Sequence, residues 1–360
     1  MDYLLNPLLI IYPREQQQKR CYVAQVDSYS KPLILLDERL PWALSLLPEY
    51  FSGEAALQIW KEHMLPDEFA VAAWSLCLSK NLIIGRDDDS PAAQRAAAWK
   101  KFGWHEAYIY HESTRNYPFV KMDVKEGKQE DQKRMATYIL EELPPDVFQV
   151  FNTDNRYSLQ KFSDNFDLQQ YVENLGPAEL KGLEGWSVLL DISFGKRDFA
   201  YPANMKTTDL PAIHKTIPSG GARHPTEVFP VIFDHAAFGA GIYHYNVRDH
   251  SLDMLQKGDF YDRAQSATLD LFSRVPGRKP AGMIVLTSLV ERAMWRYRDD
   301  RSWRAILMDV GHAARNFTLN AAALDIDLYY YQKFNDTQLA ELIGVDPYTQ
   351  PPLFVITFYN

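Results

Sequence analysis

Apolar residues recur at three- and four-residue spacing along Trp303, Ile306, Leu307, Val310, Ala314, Phe317, Ala321 and Leu324, which predicts one long helix over Ser302–Leu324. The same spacing in Phe69, Ala72, Ala73, Leu76 and Cys77 predicts a helix over 67–80, and 53–63 reads as helix too. Unbroken apolar runs mark strands at 22–26, 32–36, 82–85, 227–233, 282–287 and 352–358, with another starting at Tyr329-Tyr330-Tyr331. The opening apolar segment reads as a first strand, because it lacks the basic flank of a signal peptide. Residues 242–245 pair with 227–233 as a hairpin, Arg248-Asp249-His250 turns into a strand over 251–255, and helices are expected over 259–274 and 337–343. Asp336 is the expected cap of that last helix and Gly344 its end. Tyr243, His244 and Tyr245 alternate along a strand, so two should face the core and one outward. Arg86–Pro91 reads as a turn into a helix. Hairpins mixed with long helices argue an α+β fold.

Between these halves, 113–178 is polar. Its run Lys125-Glu-Gly-Lys-Gln-Glu-Asp-Gln-Lys133 reads as a solvated face or linker, and Pro144-Pro145 ends any helix before it. The pattern divides the chain into 1–112, a connecting segment 113–178, and a second domain 179–360. Strand, helices and a strand pair in the first part resemble a winged-helix unit.

With 46% hydrophobic and 24% charged residues the chain has the balance of a globular protein. A formal net charge of -9 disfavours general nucleic-acid binding. No run approaches the roughly 18 apolar residues of a membrane span. The two cysteines, Cys21 and Cys77, form no disulfide framework or metal pattern and suit a reducing cytoplasm. Neither His-Glu-x-x-His nor Cys-x-x-Cys occurs, so no metal site is expected.

The candidate chemistry begins at Pro218-Ser-Gly-Gly-Ala-Arg-His-Pro-Thr-Glu227. Gly220 and Gly221 bare the backbone, Pro218 and Pro225 stiffen the loop, and Ser219, Arg223 and His224 supply donors. This suits either a cofactor cradle or a decorated surface turn. Further along stand Gly241-Ile-Tyr-His-Tyr-Asn246, His250 and Leu252, Trp295-Arg-Tyr-Arg298, Trp303-Arg304 and Asp309-Val-Gly-His312. In this order and spacing the set resembles the SagB-type dehydrogenases, nitroreductase-fold flavoproteins of peptide-maturation pathways. The likeness runs from Trp186 to Asn360 and is weaker at Asn81–Gly85 and Trp104–Ala107.

That resemblance implies an FMN-dependent nitroreductase-like domain preceded by a winged-helix-like domain. It implies a homodimer with flavin sites at the subunit interface, and a ribosomally made peptide as substrate. A cyclodehydratase or other maturation enzyme is the partner it suggests. The first domain would then bind a leader peptide or serve as a structural cap. DNA binding ranks third, given the acidic chain. The family's Arg-Arg-Ser-x-Arg-x-Phe segment for phosphate and ribityl corresponds to Ser193–Phe199. Arg197 and Phe199 match, Ser193 and Phe194 replace the first two arginines, and Lys196 offers a charge nearby. Pro218, Ser219, Gly220 and Gly221 correspond to the flavin-edge loop, with amides expected to meet the ring. Arg223 and His224 would face substrate or the partner subunit. The family's Lys-Tyr pair reads Arg296-Tyr297. Arginine is a poor general base, so Tyr297 is the expected proton carrier and Arg296 its electrostatic support. His312 is expected to hydrogen-bond within the fold, and Gly311 to admit a close backbone. Two other readings stay open: an NAD(P)H-driven nitro or quinone reductase, and a scaffold that has lost its flavin.

Overall fold

The computed structural model describes residues 2–6, 9–16, 19–26, 33–35, 37–86, 91–115, 123–162, 167–174, 176, 181–197 and 213–359. Two compact units result, Met1–Phe119 and Val120–Asn360.

The first unit carries strands β1 (Asp2–Leu5), β2 (Ile10–Gln16), β3 (Lys19–Gln25) and β4 (Leu33–Leu35), helix α1 (Arg39–Ser45), β5 (Phe51–Ser52), α2 (Gly53–Glu62), α3 (Asp67–Ser79), β6 (Ile83–Gly85), α4 (Pro91–Lys100) and α5 (His105–Thr114). Its strands form two small antiparallel sheets, β5-β1-β6 and β2-β3-β4. Ser52 caps α2 by accepting from the Ala55 amide at 3.0 Å. Ala70, Ala73 and Cys77 are the buried stripe of α3 and join Ala43, Trp60 and Leu82 in one core. The Trp60 indole, wholly buried, donates to the Ala43 carbonyl at 2.7 Å. Burial pushes the Cys77 thiol up to about 12, so it packs as a small apolar side chain. The turn expected at Arg86–Pro91 falls mostly on residues 87–90, and the ends of the strand expected over 32–36 on 32 and 36, all outside the described residues.

In the second unit come α6 (Val124–Glu141), β7 (Arg156–Ser158), α7 (Leu168–Asn174), α8 (Leu183–Phe194), β8 (Lys196–Arg197), β9 (His214–Lys215), β10 (Thr226–Ile232), β11 (Gly241–Asn246), β12 (Ser251–Lys257), α9 (Tyr261–Ala267), β13 (Gly282–Ser288), α10 (Val290–Arg296), α11 (Ser302–Ala323), β14 (Asp327–Tyr331), α12 (Asp336–Ile343) and β15 (Pro352–Tyr359). Seven strands form an antiparallel sheet in the order β14-β15-β13-β10-β11-β12-β7. Residues of α8 and α11 pack on one face, where Leu189, Leu190, Val310 and Phe317 meet Val228, Tyr243, Tyr245 and Ile284. On the other face, Ala264, Ala267, Leu339 and Leu342 of α9 and α12 meet Phe229, Val231, Met283 and Val355. An α+β sandwich of helix, sheet and helix layers follows.

Double coverage corrects one expectation. Tyr243, His244 and Tyr245 are all completely buried, because no face of this part of the sheet is left to water. The helix expected over 259–274 stops at Ala267. Leu269 takes φ 56°, and a short 3-10 turn covers Leu271–Ser273. Asn335, not Asp336, caps α12, its side chain accepting from the Gln338 amide at 3.0 Å, and Gly344 ends the helix left-handed at φ 77°. The polar stretch 113–178 is more than a connector. Asp123 caps α6 by accepting from the Glu126 amide at 2.8 Å, and β7 pairs with β12 at the sheet edge.

Candidate active site

The loop before β10 is held from within and from α11. Ser219 Oγ donates to Asp309 Oδ2 at 2.6 Å and accepts from the His224 amide at 2.9 Å. The Gly220 amide points to Asp309 Oδ1 at 3.4 Å, and the Ala222 and Arg223 amides bond Ser219 and Gly220 carbonyls. Four loop amides are thus engaged inside the protein. Burial raises the Asp309 pKa, against the opposing pull of Ser219 and the Gly220 amide. Gly221, Ala222 and His224 all have positive φ, at 59°, 53° and 44°. The two glycines differ: a Cβ on Gly220 would meet only Ala305 Cβ at 3.6 Å, whereas one on Gly221 would overlap the Tyr297 hydroxyl.

Tyr297 reaches the loop because α10 ends one residue before it and the backbone turns extended, at φ -121° and ψ 97°. Arg296 Nη2 donates to both carboxylate oxygens of Asp131 on α6, at 2.6 and 2.7 Å, and its guanidinium lies 4.9 Å from the Tyr297 ring centroid. Next door, Trp295 Nε1 donates to the Glu142 carbonyl at 3.1 Å. Arg223 Nε donates to the Gly221 carbonyl at 2.9 Å; burial first, and repulsion from Arg296 second, lower its pKa. Gly221, Arg223, Arg296 and Tyr297 therefore lie in one chain of contacts.

Beneath the loop lies a buried polar cluster in which His224, Glu227 and His244 come from the motif segments and Arg292 and Lys215 from outside them. Glu227 Oε1 accepts from Arg292 Nη1 at 2.5 Å, and Oε2 pairs with His244 Nε2 at 2.9 Å. Arg292 also donates to the His224 carbonyl at 3.0 Å and, through Nε, to the Asp146 carbonyl at 2.8 Å. Burial alone would raise the Glu227 carboxyl; Arg292, the His244 bond and Lys215 outweigh it and bring it down to about 2. Burial pulls Lys215 down to about 8, opposed by Glu227 and helped by Arg292. His224 falls to about 3 through burial and the Lys215 charge, so its imidazole is neutral. The one available signal was a carboxylate, Glu227, opening an apolar strand.

The basic segment is built differently. Ser193 and Phe194 are buried at the end of α8. Phe194 stacks on Phe317 at 5.4 Å, and Asn316 Nδ2 donates to the Ser193 carbonyl at 2.9 Å. Arg197 Nη1 donates to Asp191 Oδ1 at 2.9 Å, while Lys196 is exposed. β8 pairs with β9, Lys196 opposite Lys215, which carries the segment to within a few residues of the loop. Asp198 and Phe199 lie outside the described residues. For a flavin mononucleotide there is bare backbone at Gly220, the Tyr297 hydroxyl against Gly221, and an exposed cation one strand away, while the Gly220 amide expected at the ring points instead to Asp309. A Cβ on Gly311 would meet open space rather than the close backbone expected there, and His312 is exposed on the same helix as Asp309. Among the described residues, no group of three or more His, Cys, Asp or Glu could hold a metal, and no helix is long and apolar enough to cross a membrane.

Residues 198–358 match the Nitroreductase family model. Trifolitoxin-processing protein TfxB of Rhizobium leguminosarum bv. trifolii is 28% identical over 256 residues, 68% of this chain and 68% of that protein. Microcin B17-processing protein McbC of Escherichia coli is 26% identical over 160 residues, 42% of this chain and 56% of McbC. A solved E. coli microcin synthetase McbBCD complex with truncated pro-MccB17 bound aligns at TM-score 0.41 and 20% identity, over 74% of this chain and 93% of that one.

Proposed function

We propose that this chain, which carries a nitroreductase-family domain in residues 198–358, is an FMN-dependent oxidoreductase that dehydrogenates a ribosomally made peptide. The reaction is oxidation of an azoline ring to an azole, which removes one hydride and one proton from adjacent ring carbons. The observation that carries this reading is the meeting of the Gly220-Gly221 loop with the Tyr297 hydroxyl, from elements far apart in sequence. The two processing proteins similar to this chain support it.

Pro218, Ser219, Gly220 and Gly221 would border the flavin ring, and Lys196 would meet the phosphate. Arg197, tied to Asp191, would position the strand that carries Lys196. Bound FMN supplies the hydride acceptor. The Tyr297 hydroxyl relays the ring proton, accepting it as it passes its own proton on to solvent, and the Arg296 guanidinium, held in place by Asp131, stabilises the anion that develops during transfer. Arg223 faces the substrate side, and His224, buried beneath the loop, supports it from within rather than facing substrate or a partner subunit. The enzyme works as a cytoplasmic homodimer with a cyclodehydratase or similar partner, and residues 1–112 form a winged-helix-like domain that grips a leader peptide.

The first test is an absorbance spectrum of purified protein with the released cofactor weighed by mass spectrometry. Flavin bands and the FMN mass are expected; a protein that stays colourless after incubation with FMN overturns the reading. With an azoline-containing peptide, Tyr297→Phe should slow flavin reduction by about 10²–10⁴-fold at unchanged FMN content. An unchanged rate removes Tyr297 from the proton transfer.

A further inference from the structure

Beside the loop lies a cavity of ≈ 160 Å³ lined by Pro144, Pro145, Asp146, Val147, Arg223, Arg292 and Trp295. Two guanidiniums therefore reach one small space, in a protein whose net charge is -9. Arg292 is only 4% exposed, and its Nη2 is a buried donor with no partner among the described residues. A buried donor left unmet is costly, and a ligand oxygen in the cavity would satisfy it. Charge balance points the same way. Arg296 is spent on Asp131, and a single carboxylate, Glu227, serves both Arg292 and Lys215. Arg223 is held by a carbonyl, with no ion pair within 4.0 Å among the described residues.

We infer that this cavity is a subsite for a carboxylate of the substrate, a monoanion gripped between Arg223 and Arg292. The inference rests on the peptide-dehydrogenase reading for the identity of the substrate, and on the cavity alone for the carboxylate. Planar guanidiniums match carboxylate oxygens in fork geometry. Pro144, Pro145 and the Trp295 ring form the apolar wall that the carbon stem of the carboxylate requires. Asp146 is the lining carboxylate. Its Oδ1 accepts from the Phe148 amide at 3.0 Å, and its presence beside the two arginines disfavours a dianion such as phosphate. Arg223 stands two residues after Gly221, so an anchor here holds a peptide against the loop where the proposed chemistry takes place.

Two sources supply such a group, an acidic side chain or a peptide C-terminus, and the test separates them. Full-length protein saturated with FMN is titrated with a short peptide bearing a free C-terminal carboxylate, with its C-terminal amide, and with an amidated peptide carrying one internal Glu. Acetate and inorganic phosphate are run beside them. Intrinsic fluorescence and thermal shift are read, and Trp295→Phe identifies the part of the fluorescence that comes from the cavity. Saturable binding is expected for at least one carboxylate peptide and not for the neutral amide, weakened at least tenfold in Arg223→Gln and partly restored in Arg223→Lys. Equal response to acid and amide, unchanged affinity in Arg223→Gln, or binding of phosphate alone in competition with FMN overturns the proposal. The readout is binding rather than turnover, so a protein without FMN or without dehydrogenase activity still reports on the cavity, and the two proposals fail separately.

Discussion

Segments 193–197 and 218–224 both stand out in the sequence as flavin-facing, yet the cation Arg197 and the polar groups of the loop find partners at very different distances along the chain. Arg197 is satisfied by Asp191, six residues earlier on the same helix end. Ser219 is satisfied by Asp309, 90 residues later, the His224 carbonyl by Arg292, 68 residues later, and Glu227 by the same Arg292, 65 residues later. In the first segment only Arg197 closes locally, on the end of its own helix; the Ser193 carbonyl and hydroxyl accept from Asn316 and Asn320 of α11. The second is a junction, where α10, α11 and β10 are joined through buried charge. Substitutions in the junction should therefore disturb several elements at once, and a substitution of Arg197 chiefly the end of α8.

Arg292→Ala makes the hardest test of that contrast. It strands the Glu227 carboxylate in the core and should cost about 3–5 kcal/mol in urea unfolding. If Arg197→Ala costs as much, the distinction between junction and local closure fails. Asp309→Ala removes the acceptor of Ser219 and should cost about 1–3 kcal/mol, measured by the same unfolding curves. Gly221→Ala forces a Cβ against the Tyr297 hydroxyl at positive φ and should cost about 1–2 kcal/mol in backbone strain alone, while Gly220→Ala stays close to wild type in thermal melts. Equal melting temperatures for the two alanine variants would show that Tyr297 is not packed on the loop.

The smallest effect is a pH dependence. His224 titrates at about 3 when folded, well below the ordinary histidine value, so the unfolded chain takes up the proton first as pH falls. Its stabilising contribution is complete above about pH 6.5 and declines toward pH 3. Between pH 6.5 and 5.5 wild type should lose about 1 kcal/mol more than His224→Asn, a variant that tolerates the positive φ of 44°. Parallel stability curves for the two proteins would place the imidazole in contact with water.

Much of the fold was legible because it depends on local pattern. The spacing from Trp303 to Leu324 became α11, the apolar run at 282–287 became β13, and Gly344 ended α12 where a left-handed residue was needed. Misreadings came where a neighbour in space overrode the pattern. His244 alternates with two tyrosines as a half-exposed strand would, but helices cover both faces of its sheet. The polar run at 125–133, read as a solvated face or a linker, is a mostly exposed stretch of α6, yet it also buries Asp131, the partner of Arg296.

The sequence by itself determined which stretches could be helix or strand and where the loop before β10 had to turn, because periodicity and glycine placement act over a few residues. Tertiary structure alone decided that Asp309 would hold the loop, that Arg292 would be shared by Glu227, His224 and Asp146, and that an unmet guanidinium nitrogen would remain beside Arg223. Buried ion pairs and hydrogen bonds act over about 3 Å in space, and separation along the chain carries no record of which groups the packed sheet and helices bring within that distance.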